Sequence, residues 1–462
     1  MIRIFRHYIS SVFLWLFFAE FGIFLAAMYY GSNLRFLFAE SWYTEEYVLI
    51  ASFIFATVLS LCLTGIGLYR RTLARDDYDL FPRMAVGFAA AIVILVSIYY
   101  FFPQFQIARS VLAFAFAFAF LGLVISRLLF YRYTREERLK RRVLLVGHGR
   151  QAQKVIDTHT GYLYKGFEVV RCLAIEGEKP VVDRHLVIEG NENIMDVVKQ
   201  DGIDEVVIAL DDRRRNLPVD QLLDCKMSGV DVLDLLSFYE RENSIINLDN
   251  LYPSWLIFSD GFATGGYRVM QKRLLDILAS LVLLAVAWPF MLLTAMAIFL
   301  ESGWKEPIFY RQLRVGEQNR NFSVLKFRSM RTDAEKDGVK MAKRQDDRVT
   351  QVGRFIRKYR IDELPQIFNV LRGQMSFVGP RPERPEFVEK FVQTIPYYRE
   401  RHRVKPGITG WAQLCYPYGE NEYDAIQKLQ YDLYYVKNYS LFLDLNIIMH
   451  TIEVVLWGKG GR

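Results

Sequence analysis

Long apolar runs alternate with short basic stretches over the first third of the chain. Four runs of about 20 residues, at 9–30, 47–69, 84–102 and 108–131, are long enough to cross a hydrocarbon core about 30 Å thick. The first run is too long for a signal-peptide core, and no small-residue cleavage site closes it. The pattern predicts a bundle of four transmembrane helices within residues 1–140.

Arginine residues give these helices a direction. Arg3 and Arg6 precede the first run, Arg83 lies before the third, and the basic cluster 132–142 follows the fourth. The intervening loops carry almost no basic residues, and basic loops remain in the cytoplasm. We therefore expect a multi-pass membrane protein whose chain enters the cytoplasm after residue 140.

Two ionisable residues, Glu20 and Arg127, lie within or near the apolar runs. Such residues can mark a transport path through a membrane protein. A contact between helices, or an arginine reaching for the interface, is the simpler interpretation. We assign them no function.

The pattern changes to that of an α/β domain over residues 141–262. The apolar strand Arg142–Gly147 leads through Gly149 into a helical stretch, as in dinucleotide-binding turns. Further strand-like runs alternate with helical segments at 168–174, 204–210 and 229–235. This alternation predicts a Rossmann-like domain with a mostly parallel sheet.

Two interpretations of the glycine-containing turn remain open. Either a nucleotide binds at the helix N-terminus, or Gly147 and Gly149 only pack the turn. Glu176 is the candidate to hold a ribose, but it lies later than the spacing of about 20 residues that this role requires. We favour a regulatory or assembly role and expect no bound cofactor in this domain.

A fifth apolar run, Leu274–Leu300, carries Pro289 near its middle, where proline removes a helical hydrogen bond. Basic residues flank both ends: Lys272 and Arg273 before the run, and Lys305, Arg311 and Arg314 after it. The basic ends predict a re-entrant helix over 271–302 that enters the membrane, bends and returns. A straight fifth span is the alternative, and it would place residues 303–462 outside the cytoplasm.

Composition limits the chemistry that the chain can perform. Of 462 residues 52% are hydrophobic, yet the formal net charge is +7, so an apolar part and a basic part are separate. The four cysteines have no CxxC spacing and the six histidines no HxxxH spacing, which argues against a zinc site. Without a P-loop or a GxSxG sequence, carboxylates and arginines acting with a divalent ion remain.

The adjacent carboxylates Asp362 and Glu363 are the candidate reaction centre. Pro365 suits the first turn of a helix and Gly373 its end, so the pair is expected just before a helix N-terminus, which attracts phosphate. A carboxylate attacks phosphorus when cations and a hard metal such as Mg²⁺ offset the repulsion between anions. A helix cap with a solvated neighbour is the alternative.

Four basic residues are the candidate phosphate-binding groups: Lys326, Arg328, Arg357 and Arg381. Arg381 lies in the sequence Gly379-Pro-Arg-Pro382, a rigid turn that holds a guanidinium ready for bidentate contact with a diphosphate.

Residues 263–462 resemble the bacterial polyprenyl-phosphate hexose-1-phosphate transferases, which are monotopic phosphoglycosyl transferases. The likeness is carried by short motifs in order: Lys272-Arg273, Lys326–Met330, Asp346-Asp347-Arg348, Asp362–Gln366, Gly379–Pro382, Lys405–Gly410 and Asp432–Tyr435. Four spans followed by a Rossmann-like domain resemble the long members of the family. Two positions depart: Ser329 replaces a threonine and keeps the hydroxyl, and Asn319 replaces a glycine and tolerates a left-handed turn.

The resemblance implies an α+β catalytic domain in the bacterial inner membrane, with the active site facing the cytoplasm. Asp362 would attack the β-phosphate of a UDP-sugar and release UMP, and undecaprenyl phosphate would then take the sugar phosphate. Asp362 and Glu363 would hold Mg²⁺, and Arg357 and Arg381 would bind phosphate. The Lys272-Arg273 pair with Pro289 would lie on the side of the membrane and the lipid phosphate, as binding residues there.

By the same likeness, the reaction would initiate exopolysaccharide, capsule or O-antigen synthesis. The expected partners are the UDP-sugar, undecaprenyl phosphate and the lipid bilayer, but no nucleic acid, and a homodimer remains open. A nucleotide-sensing channel or transporter subunit is one alternative, and a membrane-tethered dehydrogenase or epimerase that binds NAD is another. For the C-terminal run 429–457, the membrane interface and ordinary packing both remain open.

Overall fold

A computed structural model describes most of the chain. The described residues are 2–4, 7–9, 11–36, 44–69, 80–134, 140–157, 166–190, 192–212, 217–262, 265–303, 306–334, 347–416 and 421–456. Arg6, Lys305, Asp346, residue 457 and part of the basic cluster 132–142 lie outside them. The chain divides into two compact units, one of Met1–Ile2 and Tyr8–Asn243 and one of Arg3–His7 and Ser244–Arg462. Residues 244–262, which the sequence grouped with the Rossmann-like domain, therefore belong to the second unit.

Four long helices follow two short strands. The strands are β1 (Ile2–Ile4) and β2 (His7–Ile9), and the helices are α1 (Ser11–Phe36), α2 (Glu45–Gly65), α3 (Leu80–Phe101) and α4 (Arg109–Thr134). Each helix contains an apolar stretch long enough to cross a membrane, which confirms the four predicted helices. They share a buried core that includes Phe24, Phe55, Met84 and Val111.

A buried ion pair joins α1 to α4. Arg127 Nε lies 2.8 Å from Glu20 Oε1, and Arg127 Nη2 donates to Glu20 Oε2 at 2.9 Å. The hydroxyls of Tyr69 and Ser126 donate to the same carboxylate at 2.6 and 3.0 Å. Both charged groups are thus satisfied inside the first unit, which agrees with a contact between helices.

A five-stranded parallel sheet forms the rest of the first unit. Its strands are β3 (Arg141–Val146), β4 (Phe167–Leu173), β5 (Val187–Ile188), β6 (Glu205–Ile208) and β7 (Asp231–Asp234), in the order β5-β4-β3-β6-β7. The helices are α5 (Arg150–Asp157), α6 (Ile194–Asp201), α7 (Val219–Met227) and α8 (Leu235–Asn243). The predicted Rossmann-like sheet is confirmed. Only β5, with two residues, was too short to show a sequence pattern.

The second unit is a mixed α and β assembly. Its elements are α9 (Pro253–Phe258), α10 (Gly266–Ser302), β8 (Phe309–Val315), β9 (Asn321–Phe327), α11 (Gln351–Lys358), α12 (Ile367–Leu371), β10 (Ser376–Val378), α13 (Pro385–Thr394), β11 (Gly407–Thr409), α14 (Trp411–Cys415), α15 (Glu422–Asn438) and α16 (Leu441–Leu456). Strands β8 and β9 form an antiparallel hairpin, and β10 pairs with β11 in parallel. In the hairpin turn Asn319 has φ of +60°, the left-handed conformation that its sequence predicts.

Helix α10 contacts the rest of its unit near both ends. It runs for 37 residues with Pro289 inside. Near its start, Arg273 donates to two carbonyls at the end of α12, both at 2.6 Å. Near its end, the Glu301 carboxylate accepts hydrogen bonds from the first two N–H groups of α11, at 2.8 and 3.1 Å. Between these anchors, large apolar side chains such as Val282, Val286 and Leu292 are exposed.

Helix α15 supports the packing interpretation of the C-terminal run. Its last ten residues, 429–438, are almost all buried, and they include Tyr434 and Tyr435. Helix α16 buries Asp444 against Lys272 at 2.8 Å while it exposes Leu441 and Leu445. The run is therefore mainly a packing element up to residue 438.

Candidate active site

Asp362 and Glu363 lie inside a short 3₁₀ helix, Ile361–Gln366, that leads directly into α12. The sequence had placed them just before a helix, and this position is a correction. Arg360 adopts a left-handed conformation with φ of +59°, which turns the chain and starts the helix before Pro365. Gly373, with φ of +80°, follows the end of α12 as predicted.

Three cations surround the Glu363 carboxylate, which is 7% exposed. Arg381 Nη2 lies 2.7 Å from Oε1, Lys326 Nζ lies 3.2 Å from the same oxygen, and Arg360 Nη1 lies 3.3 Å from Oε2. Burial favours the protonated form of Glu363, but these cations outweigh it and hold the pKa of Glu363 well below its usual range. Glu363 is therefore an ionised counter-charge.

Asp362 has a different environment although it is the next residue. Within the described residues, no hydrogen bond or ion pair holds its half-buried carboxylate. Burial raises the pKa of Asp362 to about 6, and the adjacent Glu363 adds to the rise, while Lys326 and Arg357 oppose it. A carboxylate without donors, ionised at neutral pH, is a suitable nucleophile.

A cavity of about 550 Å³ brings the predicted groups together. Asp362 and Glu363 line it together with all four predicted phosphate-binding residues, Lys326, Arg328, Arg357 and Arg381. Burial lowers the pKa of Lys326, whereas Glu363 raises the pKa of Arg381. The half-buried Arg357 has no hydrogen bond or ion pair from its guanidinium within the described residues, so its donors can meet a phosphate.

Close backbone contacts hold Arg381 in place. Gly379 N donates to Thr409 O at 2.9 Å, and Gly407 N donates to Pro380 O at 3.0 Å. A Cβ atom on Gly407 would lie 2.1 Å from the backbone nitrogen of Gly379, so only glycine fits there. The motifs Gly379–Pro382 and Lys405–Gly410 thus form one rigid turn.

The buried ion pair of Arg401 and Asp432 supports this turn. Arg401 Nη2 donates to the carbonyl of Arg381 at 2.9 Å and also lies 2.8 Å from the Asp432 carboxylate. Arg401 Nη1 donates to the Tyr398 hydroxyl at 2.8 Å. These contacts give the Asp432–Tyr435 motif a role in fixing the position of Arg381.

Three predicted binding residues are already engaged by the protein. Arg328, 6% exposed, donates to Pro307 O at 2.8 Å and to Glu306 and Ser302. Lys272 Nζ donates to Val378 O, Tyr435 and Asp444, and Arg273 caps α12. These contacts attach the two ends of α10 to the unit, so all three side chains hold structure in place.

The two predicted Mg²⁺ ligands differ in how well they fit a metal. Mg²⁺ takes oxygen ligands, commonly one or two carboxylates together with substrate phosphate oxygens. Asp362 has free carboxylate oxygens facing the cavity and fits. Glu363 does not fit while Arg381, Lys326 and Arg360 surround it. No group of three potential metal-binding side chains occurs among the described residues, so phosphate oxygens would have to complete the coordination.

In the Rossmann-like domain, the chain's own carboxylates occupy the glycine-containing turn. Asp211 accepts hydrogen bonds from Arg150 N at 3.1 Å and Gln151 N at 2.8 Å, at the start of α5. Glu178 accepts from His148 N at 2.9 Å and Asp211 N at 2.7 Å. A dinucleotide places its pyrophosphate at this helix start. The predicted ribose residue Glu176 is exposed in the turn after β4.

Sequence reasoning did not single out several of these residues. Arg360 stands two positions before Asp362, and charge proximity alone could have identified it. Glu178 and Asp211 follow predicted strands, and the carboxyl ends of parallel strands meet at one edge of a sheet. Arg401 left no local signal for its role, because the Arg381 carbonyl and the Asp432 carboxylate that it joins lie 20 and 31 positions away in the sequence.

Comparisons with known proteins match both parts of the chain. The family model described as bacterial sugar transferase matches residues 267–458, and one described as CoA-binding domain matches 65–232. An undecaprenyl-phosphate glucose phosphotransferase of Komagataeibacter xylinus is 32% identical over 82% of this chain and 71% of its own length. A UDP-glucose:undecaprenyl-phosphate glucose-1-phosphate transferase of Klebsiella pneumoniae is 34% identical over 68% of this chain and 67% of its own.

A further relative matches about half of the chain. It is a UDP-N-acetylgalactosamine-undecaprenyl-phosphate N-acetylgalactosaminephosphotransferase of Aeromonas hydrophila, 42% identical over 238 residues. The match spans 52% of this chain and 55% of that protein.

Proposed function

Since the chain belongs to the bacterial sugar transferase family of polyprenyl-phosphate hexose-1-phosphate transferases, we propose that it moves a sugar 1-phosphate from a UDP-sugar to undecaprenyl phosphate. The observation that carries this proposal is the contrast within the carboxylate pair. Among the described residues, Asp362 has no donor on its carboxylate, while Glu363 is neutralised by three cations in the same cavity.

The proposed reaction has two displacements at phosphorus. An Asp362 carboxylate oxygen bonds to the β-phosphorus of the UDP-sugar, and the bond from that phosphorus to the bridging oxygen breaks. UMP leaves with the bridging oxygen and its electron pair. A phosphate oxygen of undecaprenyl phosphate then attacks the same phosphorus, which breaks the bond to Asp362 and frees its carboxylate.

The surrounding residues supply charge and position. Lys326, Arg357 and Arg381 offset the negative charge that gathers when a carboxylate approaches a diphosphate. Held by Asp362 and phosphate oxygens, Mg²⁺ would supply further charge neutralisation. Glu363 acts as the counter-ion that fixes Lys326 and Arg381. This assignment replaces the predicted role of Glu363 as a metal ligand.

For α10 we propose the re-entrant course, with the cavity on the cytoplasmic side. Both ends of α10 bond to one unit, and no other helix of that unit among the described residues is a candidate span. A straight helix would carry residues 273 and 301 about 40 Å apart, on opposite sides of the bilayer. Both ends can bond to the same unit on one side if α10 bends within the membrane, and Pro289 supplies the break.

In this proposal the Rossmann-like domain binds no cofactor. The match to a CoA-binding domain implies a nucleotide at the turn after β3, but Asp211 and Glu178 already take its N–H donors. A phosphate group there would meet two carboxylates, and so the residues present do not fit it.

The test is a UMP-release assay on the purified full chain with undecaprenyl phosphate, Mg²⁺ and a panel of UDP-sugars. The panel includes UDP-glucose and UDP-N-acetylgalactosamine, the donors named for the relatives. We expect UMP release with at least one sugar and a loss of about a thousandfold or more in Asp362→Asn. Its thermal unfolding should show a folded protein. Undiminished UMP release by Asp362→Asn would refute the mechanism, and no release by the wild type with any sugar would refute the function.

A further inference from the structure

The Gln413 side chain has a hydrogen-bond donor for which the described part of the chain offers no acceptor. Gln413 lies on α14 and lines the cavity that contains Asp362. Its Nε2 atom is buried and has no hydrogen-bond partner among the described residues. Leaving a buried amide donor unpaired destabilises a protein by about 1–3 kcal/mol, so such a group in a cavity indicates a missing acceptor.

The orientation of this amide follows from its other atom. Gln413 Oε1 accepts a hydrogen bond from Arg381 Nη1 at 3.4 Å. A guanidinium has only donors, so the oxygen must face Arg381 and Nε2 must point away from it. Exchanging the two atoms would place donor against donor, and the contact with Arg381 therefore fixes the amide.

The position of Gln413 limits which part of a substrate it can meet. Arg381 bonds to Gln413 through Nη1 and to Glu363 through Nη2 at 2.7 Å. One guanidinium thus separates Gln413 from the carboxylate next to Asp362. Because Arg381 is a proposed phosphate-binding residue, we place the acceptor for Nε2 on the part of the substrate next to the phosphate that Arg381 binds.

Helix α14 is well anchored, so the amide cannot easily turn to another partner. Trp411 Nε1 donates to Ser244 O at 3.0 Å, and the Trp411 ring packs edge-on against His7 with centroids 5.6 Å apart. Gln413 N donates to Gly410 O at 3.0 Å. The side chain therefore projects from a fixed backbone.

We propose that Gln413 is a substrate-binding residue whose Nε2 donates to an oxygen of the transferred sugar 1-phosphate while Oε1 orients Arg381. This inference rests on the proposed transferase function and adds one specific contact to it. A hydrogen bond to a charged oxygen contributes about 1.5–3 kcal/mol, which corresponds to a factor of about 10 to 150 in kcat/KM.

Two substitutions separate donation to the substrate from support of Arg381. Gln413→Ala removes both contacts. Gln413→Glu keeps the shape and the acceptor for Arg381 but replaces the donor with a charged oxygen that repels phosphate. We expect kcat/KM for UMP release to fall about tenfold to a hundredfold in Gln413→Ala and at least as far in Gln413→Glu.

The control is Cys415→Ala, on the same helix but outside the lining of the cavity, which should keep wild-type kinetics. Thermal unfolding and inhibition by UMP are measured for each variant. UMP lacks the sugar phosphate, so its inhibition constant should change little.

The outcomes distinguish failure of the proposed Gln413 contact from failure of the proposed transferase function. Absence of UMP release by the wild type refutes the transferase function itself. If the wild type is active and Gln413→Glu matches it, or restores what Gln413→Ala loses, Gln413 only orients Arg381 and the proposed contact is wrong. An equal loss of UMP inhibition would place the contact on the nucleotide and would also overturn it.

Discussion

Two regions of the chain are built to receive an anion, and they differ in what already occupies them. At the turn after β3, the helix-start N–H groups point at the carboxylates of Asp211 and Glu178. In the cavity of the second unit, Glu363 is surrounded by Lys326, Arg360 and Arg381, and the neighbouring Asp362 accepts no hydrogen bond from the part of the chain that the structure describes. In the first region the chain's own carboxylates accept the hydrogen bonds of the helix-start N–H groups. In the second region the Asp362 carboxylate and the Arg357 guanidinium remain available to a substrate.

The difference teaches that an anion-binding motif is not yet an anion site. Negative charge is attracted by helix-start N–H groups in the first region and by the cations Lys326, Arg360 and Arg381 in the second. Whether that charge comes from the chain or from a ligand depends on carboxylates supplied by other strands. The dehydrogenase alternative, which needs a phosphate at the turn, therefore has no support in the geometry.

Among changes that leave Asp362 in place, removing Arg381 should produce the largest effect, because the cavity depends on its charge. We expect Arg381→Met to lower kcat/KM for UMP release about a thousandfold, since Glu363 loses its shortest ion pair and phosphate loses a bidentate donor. Arg381→Lys should recover part of the loss. Arg354→Met removes an exposed arginine outside the cavity and should be near wild type. An equal loss in both methionine variants would contradict the special role of Arg381.

Lowering the pH should stop UMP release in the cavity while both regions remain folded. Because the pKa of Asp362 is raised to about 6, its carboxylate is ionised above that pH and is protonated as the pH falls through it. UMP release should fall about tenfold for each pH unit below 6, measured as kcat/KM between pH 5 and 8. Glu363→Gln removes the adjacent negative charge and should shift the fall to lower pH. A flat profile would show that Asp362 is not the titrating nucleophile.

Replacing Asp211 at the glycine-containing turn should lower the stability of the protein and leave catalysis unchanged. Asp211→Ala removes the acceptor for two N–H groups of α5, so we expect unfolding free energy to fall by about 1–2 kcal/mol in denaturant titrations. UMP release at saturating substrate should remain near wild type. Wild-type protein should show no thermal shift with NAD or CoA. Tight binding of NAD or CoA by the wild type would show that a ligand can replace the Asp211 and Glu178 carboxylates at these N–H groups.

The smallest expected effect is a gain in the free energy of unfolding when the nucleophile Asp362 is replaced. A raised pKa means that folding favours protonated Asp362, so ionisation reduces stability as pH rises from about 4 to 6, and the loss persists above. Asn is neutral throughout, and Asp362→Asn should be more stable by about 1 kcal/mol at pH 7.5. The difference should shrink towards pH 4. A less stable Asp362→Asn at neutral pH would indicate that the carboxylate has a structural partner.

Local patterns were sufficient for the elements of the fold. The four apolar runs became helices, and the strand-like runs around 142, 168, 204 and 229 became members of one parallel sheet. Such features are set by neighbouring residues, because burial in lipid, strand alternation and backbone conformation act over a few positions.

The sequence by itself also determined the candidate groups of the site: an aspartate beside a glutamate, with basic residues in the motifs around them. Only the tertiary structure decided their roles. It brought Lys326 and Arg381 to Glu363 from 37 and 18 positions away, engaged Arg328 and Lys272 in holding α10, and closed the glycine-containing turn with Asp211. The physical reason is that a charge acts through distance in space, and folding alone sets which charges lie within a few ångströms of each other.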